Sequence, residues 1–308
     1  MKDENIPSIT VLSGGVGEER EVSLTTGHAI CKSLRKSHDV TLVDLEQTSL
    51  PPDLDGASTI VFPAIHGTFG EDGDLQQQLD DNGIHYAGSD AASSNLCMDK
   101  NRAKNRVWEA GLRVAPGRFF RDPAEVCAGD LIDSLGPDLI VKPTNQGSSV
   151  ELSVLTGEDE LEALLRDLPV GNWLVEQRIL GRELTVGVLC GDTLGVVEVI
   201  PQGGVYDYER KYLSGKTEYR YPAVLSCEVE EEVKLAAKTA FEVCGCRDFA
   251  RVDFMLCEDG HAFFLEVNTL PGLTETSLLP KSASCSGYDF DSLALQLVEP
   301  AINRFRVA

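Results

Sequence analysis

Four polar side chains stand out in the otherwise apolar stretch DFARVDFMLCEDGHAFFLEVNTLPG. Apolar residues at every second position predict two half-buried strands, and the Asp259-Gly260 dipeptide between them predicts a tight hairpin. With those two residues as the loop, Asp253 faces Glu266 and Arg251 faces Asn268. All four side chains would then lie on one face of the sheet.

Two carboxylates placed opposite each other, with Cβ atoms about 5 Å apart, should repel and weaken the sheet. A divalent cation would offset that repulsion, because Mg²⁺ prefers carboxylate and amide oxygens completed by phosphate. Asp253, Glu266 and Asn268 supply such oxygens, and Arg251 would bind a phosphate or a developing oxyanion. The alternative is a surface hairpin whose charges face water. The apolar character of both strands favours a metal–nucleotide site on this face.

The stretch LIVKPTNQGSSVEL predicts a strand that delivers Lys142 to a loop with exposed backbone amides and hydroxyls. Ser148 and Ser149 in that loop suit the covering of a phosphate. The sequence lacks the Walker A pattern, and a plain turn explains the stretch equally well.

The stretch SGGVGEEREVS superficially resembles a dinucleotide fingerprint, but Arg20 stands where the third glycine is required. Glu18 and Glu19 open the helix that follows and would repel a pyrophosphate. They suit a substrate ammonium, or they simply match the helix dipole. His66 ends an apolar strand, which is where open α/β sheets bind ligands, although a lone histidine is commonly structural.

Five of the seven tyrosines lie between residues 206 and 221, together with four basic residues. A basic, aromatic segment in an acidic chain is consistent with a lid that closes over a site, or with an ordinary exposed loop.

Strands and helices alternate along the first third of the chain, which predicts a parallel, doubly wound α/β unit. A basic helix in MDKNRAKNRVWEAG begins a second segment, and a strand-rich third segment contains the hairpin. The chain has 308 residues, 42% of them hydrophobic and 25% charged, which is an ordinary globular profile of two or three domains.

Composition excludes several classes of protein. The net charge of −23 argues against nucleic acid or an anionic membrane surface as a partner. We expect no transmembrane helix and no signal peptide. The nine cysteines form no CxxC pair, so we expect reduced thiols in the cytoplasm rather than disulfides or zinc.

Seven motifs, taken in order, resemble the D-alanine–D-alanine ligases of the ATP-grasp superfamily: GGVGEEREVSL, IHGTFGEDGDLQ, MDKNRAK, IVKPTNQGSSV, YDYERKYLSGKTEY, RVDFML and LEVNTLPGLTETSLLP. The resemblance implies an α/β chain with an ATP-grasp fold and an N-terminal doubly wound parallel-sheet (pre-ATP-grasp) domain. The implied domains are 1–96 for substrate, 97–182 as the central ATP-grasp subdomain, and 183–308 with the metal site and a lid loop at 203–221.

The resemblance also implies the ligands of ATP and metal. Two Mg²⁺ ions, or Mn²⁺, would lie on Asp253, Glu266 and Asn268, with Glu266 bridging them. The remaining ATP contacts would come from residues of the central segment and the start of the third: Lys100 and Lys142 for the phosphates, Ser148 and Ser149 for the covering loop, Glu176 and Ile179 for adenine, and Glu183 for ribose.

In such enzymes one D-alanine carboxylate attacks the γ-phosphate, and the amine of a second D-alanine then attacks the acyl phosphate. The resemblance assigns these roles to the matching positions of this chain. Glu19 and His66 would bind the first ammonium, and Glu19, Ser148 and Tyr212 would form a link that closes the lid. Arg251 and the Gly272 amide would stabilise the oxyanion, and Lys211, Ser277 and the Leu278 amide would hold the second carboxylate. The product would serve peptidoglycan synthesis and therefore cell-wall biogenesis and cell shape. The family is commonly homodimeric.

One residue departs from the family pattern, since Glu151 follows GSSV where glycine is usual. An acid beside a phosphate loop would weaken ATP binding or require a reshaped loop. The alternatives to the dipeptide ligase are a D-alanine–D-lactate ligase, another ATP-grasp carboxylate–amine ligase, and an inactive nucleotide-binding homologue. The retained KYLSGKTEY segment favours the dipeptide enzyme.

Overall fold

Three β-sheets organise the described part of the chain, in the order in which the sequence predicts its three segments. The computed structural model describes residues 7–146, 152–201 and 217–307. Ser148, Ser149, Glu151, Lys211 and Tyr212 therefore lie outside the described residues.

The first sheet is parallel, as the alternating pattern predicts. Its strands lie in the order β2-β1-β3, with β1 in the centre. Near-continuous apolar runs are expected here because a parallel sheet is covered on both faces. The elements of this segment are β1 (Ser8–Gly14), α1 (Arg20–Leu34), β2 (Val40–Leu45), β3 (Thr59–Pro63), α2 (Asp74–Asp81) and α3 (Ala91–Met98).

The second sheet is antiparallel, with strand order β4-β7-β5-β6. Its helices pack a separate apolar cluster that includes Leu131, Leu139 and Leu161. The elements are α4 (Lys100–Glu109), β4 (Gly117–Phe120), a 3₁₀ turn (Pro123–Glu125), α5 (Ala128–Leu135), β5 (Asp138–Pro143), β6 (Ser153–Thr156), α6 (Glu158–Asp167) and β7 (Trp173–Gln177).

The third sheet is antiparallel, with strand order β10-β9-β8-β11-β12. Its elements are β8 (Arg182–Leu189), β9 (Asp192–Pro201), β10 (Thr217–Arg220), α7 (Cys227–Val243), β11 (Phe249–Leu256), β12 (Ala262–Asn268), α8 (Leu278–Ser284) and α9 (Phe290–Val307). The sequence predicts a lid loop that continues to residue 221, and the C-terminal end of that prediction is wrong. Thr217–Arg220 pairs with β9 because the edge of that strand offers unpaired backbone groups.

The β11–β12 hairpin has the predicted pairing at its functional end but a longer loop. Gly260, at φ +85°, closes a three-residue loop over residues 258–260, which is the turn that favours glycine at its last position. A bulge at Leu265 adds one residue on β12. The two irregularities offset each other, so Asp253 still faces Glu266 and Arg251 still faces Asn268.

Apolar packing joins the first and third segments. The Phe62 and Phe249 rings stack with centroids 6.2 Å apart, within a cluster that also contains residues of α1 and α9. The Asp248 carboxylate accepts from the Gly88 amide at 2.8 Å and from both Arg304 terminal nitrogens at 2.7 Å. These contacts fix the end of β3 relative to β11.

Within the part of the chain that the structure describes, no helix is long and apolar enough to cross a membrane.

Candidate active site

A cavity of about 380 Å³ lies between the first and third segments. It is bounded by the start of α1, the loop after β3, the open end of the β11–β12 pair and the turn before α8. Seven of the predicted site residues line it: Glu19, His66, Arg251, Asn268, Gly272, Ser277 and Leu278. Residues far apart in the sequence thus meet at one cavity.

The His66 ring is buried at the end of β3 and is held at both nitrogens. Its Nε2 lies 2.9 Å from the Thr26 hydroxyl, and its Nδ1 lies 3.0 Å from the Glu71 carboxylate. Glu71 also lines the cavity, and sequence reasoning missed it. The glycine-rich GTFGEDG context was the available signal, but only the fold shows that this acid turns back onto the histidine.

The Glu19 carboxylate approaches the loop after β3 because position 67, next to His66, is glycine. A Cβ atom at Gly67 would lie 2.9 Å from Glu19 Oε2, and Gly67 has φ +76°. A larger residue there would clash with the carboxylate and strain the backbone. The start of α1 therefore presents an acid at the cavity beside His66.

The Asp253 carboxylate lies at the centre of a buried polar network on the face of β11. Arg251 donates from Nε to Oδ1 at 2.9 Å and from Nη2 to Oδ2 at 2.8 Å. The Thr185 hydroxyl donates to Oδ1 at 2.5 Å, and the Asn268 amide to Oδ2 at 3.0 Å. Arg251 is therefore held in one orientation, with its guanidinium at the cavity wall.

Glu266 has a different cation as its partner. Its Oε2 lies 3.1 Å from Lys100 Nζ, at the start of α4. The prediction that a divalent cation offsets the Asp253–Glu266 repulsion stays a prediction, and in the structure Arg251 and Lys100 each pair with one of the two carboxylates. The pairing itself is confirmed, and Lys100 also donates to the Gln146 carbonyl at 2.8 Å.

The donor set on this face fits a hard divalent cation. Asn268 Nδ2 lies 3.0 Å from Asp253 Oδ2 and 3.4 Å from Glu266 Oε1. Turning this amide by 180° exchanges its nitrogen for its oxygen, which would aim three oxygens at one point. Two carboxylates and one amide oxygen are ligands that Mg²⁺ and Mn²⁺ accept.

A buried cluster of two lysines and one glutamate lies in the second segment. Glu176 accepts from Lys142 Nζ and from Lys104 Nζ, each at 2.5 Å. Burial alone would raise the pKa of Glu176, but the two ammonium groups lower this pKa to about 2. Burial lowers the pKa of Lys104 to about 8, although Glu176 opposes the shift. The carboxylate is therefore ionised and held at both oxygens.

Lys104 was missed by sequence reasoning, although a signal for it exists. It follows Lys100 by four residues, which puts both lysines on one face of α4. Lys104 reaches Glu176 in the second sheet, whereas Lys100 lies between Gln146 and Glu266. Together with Lys142, they place three ammonium groups near the boundary of the second and third segments. Such a concentration of positive charge suits a polyanion.

The remaining predicted nucleotide residues lie at the same boundary. Ile179 follows β7 and is half-buried, and Glu183 near the start of β8 is also half-buried. The predicted site residues 148, 149, 211 and 212 stay predictions, because they lie outside the described residues.

A model of the family described as "D-ala D-ala ligase C-terminus" matches residues 109–299. The chain is 42% identical to the D-alanine–D-alanine ligase of Syntrophotalea carbinolica over 300 residues, which cover 95% of each chain. It is 39% identical to the D-alanine–D-alanine ligase of Aquifex aeolicus over 291 residues, covering 92% of this chain and 97% of the relative.

Solved structures of similar proteins agree with these relatives. The crystal structure of the Bacillus anthracis D-alanine–D-alanine ligase complexed with ATP has a TM-score of 0.84 and 31% identity, over 98% of both chains. The VanG D-Ala:D-Ser ligase of Enterococcus faecalis has a TM-score of 0.83 and 29% identity, over 96% of this chain and 99% of that one.

Proposed function

This chain belongs to the D-alanine–D-alanine ligase family and has its ATP-grasp fold, and we propose that it joins two D-alanines at the expense of ATP. The products are D-alanyl-D-alanine, ADP and phosphate. The observation that carries the proposal is the cavity where Glu19, His66, Arg251 and Ser277 meet beside the paired carboxylates of β11 and β12.

ATP binds, in this proposal, at the boundary of the second and third segments. Lys100 and Lys142 contact its phosphates, and Glu176, Ile179 and Glu183 bind the adenine and ribose. Asp253, Glu266 and Asn268 would hold two Mg²⁺ ions. Bound Mg²⁺ supplies positive charge that offsets the phosphates. Ser148 and Ser149 cover the nucleotide.

The first D-alanine lies with its ammonium at Glu19 and near His66, so that its carboxylate faces the γ-phosphate. Attack of that carboxylate on phosphorus forms the acyl phosphate and releases ADP. The neutral amine of the second D-alanine then attacks the acyl carbon and loses a proton, and phosphate leaves as the tetrahedral oxyanion collapses to the amide. Exclusion of water is required throughout, because an acyl phosphate hydrolyses readily.

Arg251 and the Gly272 amide stabilise the tetrahedral oxyanion. Arg251 suits this role because Asp253 fixes its guanidinium, so little reorganisation is needed as the negative charge develops. Ser277, the Leu278 amide and Lys211 hold the carboxylate of the second D-alanine. Glu19, Ser148 and Tyr212 link the lid to the first substrate.

The cellular role follows from the chemistry. D-alanyl-D-alanine is a building block of peptidoglycan, and the need for ATP is consistent with action in the cytoplasm. We also propose that the active protein is a homodimer, as is common in this family.

The decisive experiment is ADP release from ATP and Mg²⁺ in the presence of D-alanine, L-alanine, D-serine or D-lactate, with the products identified by mass spectrometry. We expect D-alanine to trigger cleavage, with one dipeptide formed for each ADP. L-alanine should give none. Formation of AMP and pyrophosphate would overturn the proposed mechanism, and a depsipeptide as the main product would replace the proposed acceptor.

A further inference from the structure

Lys281 on α8 is a buried cation directly behind the wall of the proposed substrate cavity, and it lines the neighbouring cavity. The residue is 9% exposed, and burial lowers the pKa of its ammonium to about 8. Lys104 shows the same direction of shift, but Glu176 compensates that charge. No carboxylate among the described residues opposes the shift at Lys281. Burying an ammonium without an anion costs free energy. This chain carries 50 acidic residues that could have supplied such an anion.

Two of the groups around the Lys281 ammonium line the substrate cavity. Its Nζ donates to the Thr276 carbonyl and lies 4.7 Å from the centroid of the Tyr219 ring. Thr276 and Tyr219 both line the proposed substrate cavity. The Tyr221 ring lies on a further side, 5.9 Å from Nζ. Aromatic faces and a carbonyl stabilise a cation only in part, so its positive charge persists at the cavity wall.

The turn that Lys281 contacts also contains Ser277. The Ser277 hydroxyl lies 2.8 Å from Thr274 Oγ1 and accepts from the Thr274 amide at 3.1 Å. The Ser277 amide donates to the Thr274 carbonyl at 2.9 Å, and the Lys281 amide donates to the Ser277 carbonyl at 3.2 Å. The hydrogen bond from Lys281 to the Thr276 carbonyl therefore stabilises the turn from its buried side. It thereby fixes the Ser277 hydroxyl, which faces the proposed substrate site.

We propose that Lys281 is a positioning and selectivity residue for the carboxylate of the second D-alanine. It holds the Thr274–Ser277 turn in place, and it supplies the positive charge toward which that carboxylate is drawn. The inference rests on the proposed function, because only an acceptor with a carboxylate gives this charge its counter-ion.

The experiment compares two acceptors that differ only in that carboxylate. The enzyme is given ATP, Mg²⁺ and D-alanine together with D-alaninamide, whose amide is neutral. Both products arise from the same D-alanyl phosphate, so the ratio of dipeptide to dipeptide amide measures selectivity for the acceptor carboxylate. Wild type is compared with Lys281→Met, with Lys281→Arg and with Lys32→Met, which removes an exposed charge from the neighbouring cavity that Lys281 also lines.

We expect the ratio to fall at least about tenfold in Lys281→Met, the effect of losing one charge-assisted contact. It should stay within about twofold of wild type in Lys281→Arg and Lys32→Met. An unchanged ratio in Lys281→Met, or an equal fall in Lys32→Met, overturns the inference while the ligase activity stands. A wild-type protein that makes neither product overturns the proposed function itself.

Stability of the substrate-free protein gives the second readout. If the charge serves a ligand, removing it relieves the cost of burying an ammonium and leaves only the Thr276 carbonyl without its donor, so Lys281→Met should melt close to wild type at pH 7. A melting temperature lower by several degrees, with an unchanged product ratio, would mean that Lys281 is a structural residue with a partner inside the protein.

Discussion

Asp253 and Glu266 are direct partners across the β11–β12 ladder, yet each carboxylate is paired with a cation from a different element. Arg251 neutralises Asp253 from two residues away on the same strand, and Lys100 reaches Glu266 from α4. The sheet tolerates two adjacent acids because the second segment delivers a lysine to the third. Binding of an ATP phosphate to Lys100, as proposed, would therefore change the charge balance of this face directly.

Glu266→Gln should abolish turnover while changing stability by less than about 1 kcal/mol. The substitution removes a proposed metal ligand and the ion pair with Lys100, but it also removes the repulsion with Asp253. ADP release and the melting temperature without Mg²⁺ are the measurements, with exposed Glu258→Gln in the hairpin loop as the control. A loss of several degrees in Glu266→Gln alone would show that the ion pair outweighs the repulsion.

Glu176→Gln should destabilise the protein by about 3–5 kcal/mol, because it leaves the ammonium groups of Lys104 and Lys142 buried without their shared anion. Urea unfolding at pH 7 measures the change. Glu162→Gln on the exposed side of α6 is the control and should unfold within about 0.5 kcal/mol of wild type. A small effect at Glu176 would mean that a lysine loses its proton readily in the variant.

The same pair of proteins gives a dependence on pH. The pKa of Glu176 falls from its ordinary value of 4.5 to about 2 on folding, so its contribution to stability is fully present above about pH 4.5. It is lost as the pH falls through about 2. The stability difference between wild type and Glu176→Gln should therefore narrow across this range. A difference that stays constant would contradict the lowered pKa.

Glu71→Gln should lower kcat/KM for D-alanine about fivefold and leave the KM for ATP unchanged. The variant keeps a hydrogen bond to His66 Nδ1 but loses the charge that orients the ring. Steady-state kinetics at saturating ATP measure the effect. Glu21→Gln removes an exposed carboxylate from the same cavity without contact to His66, and it should have a smaller effect. Equal losses of kcat/KM in both variants would mean that Glu71 contributes only its negative charge to the cavity.

Arg304→Ala should cost about 3 kcal/mol, because it removes both guanidinium bonds from the buried Asp248 carboxylate. Arg306, two residues later, is exposed, and Arg306→Ala should stay within about 0.5 kcal/mol of wild type. Thermal unfolding of both variants tests the difference. Similar losses for the two arginines would mean that the Asp248 contact contributes little.

The sequence alone determined the elements and much of the local geometry. Alternating apolar residues predicted β11 and β12 and the pairing of Asp253 with Glu266, because side chains on a strand alternate with a period of two. The pattern misjudged the loop by one residue, since a two-residue type I′ turn needs a positive φ at Asp259 as well as at Gly260, and only Gly260 has one. The resemblance of seven ordered motifs to those of the D-alanine–D-alanine ligases predicted the family and the candidate site residues.

Only the tertiary structure decided which of these residues meet, and what charge each one faces. Glu71 turns onto His66, Lys104 shares Glu176 with Lys142, and Lys281 lies behind Tyr219. The local sequence around these residues does not specify their partners. The physical reason is that long-range apolar packing, such as Phe62 against Phe249, sets the distances between segments. Burial then determines whether a charged side chain is solvated, paired or left for a ligand to neutralise.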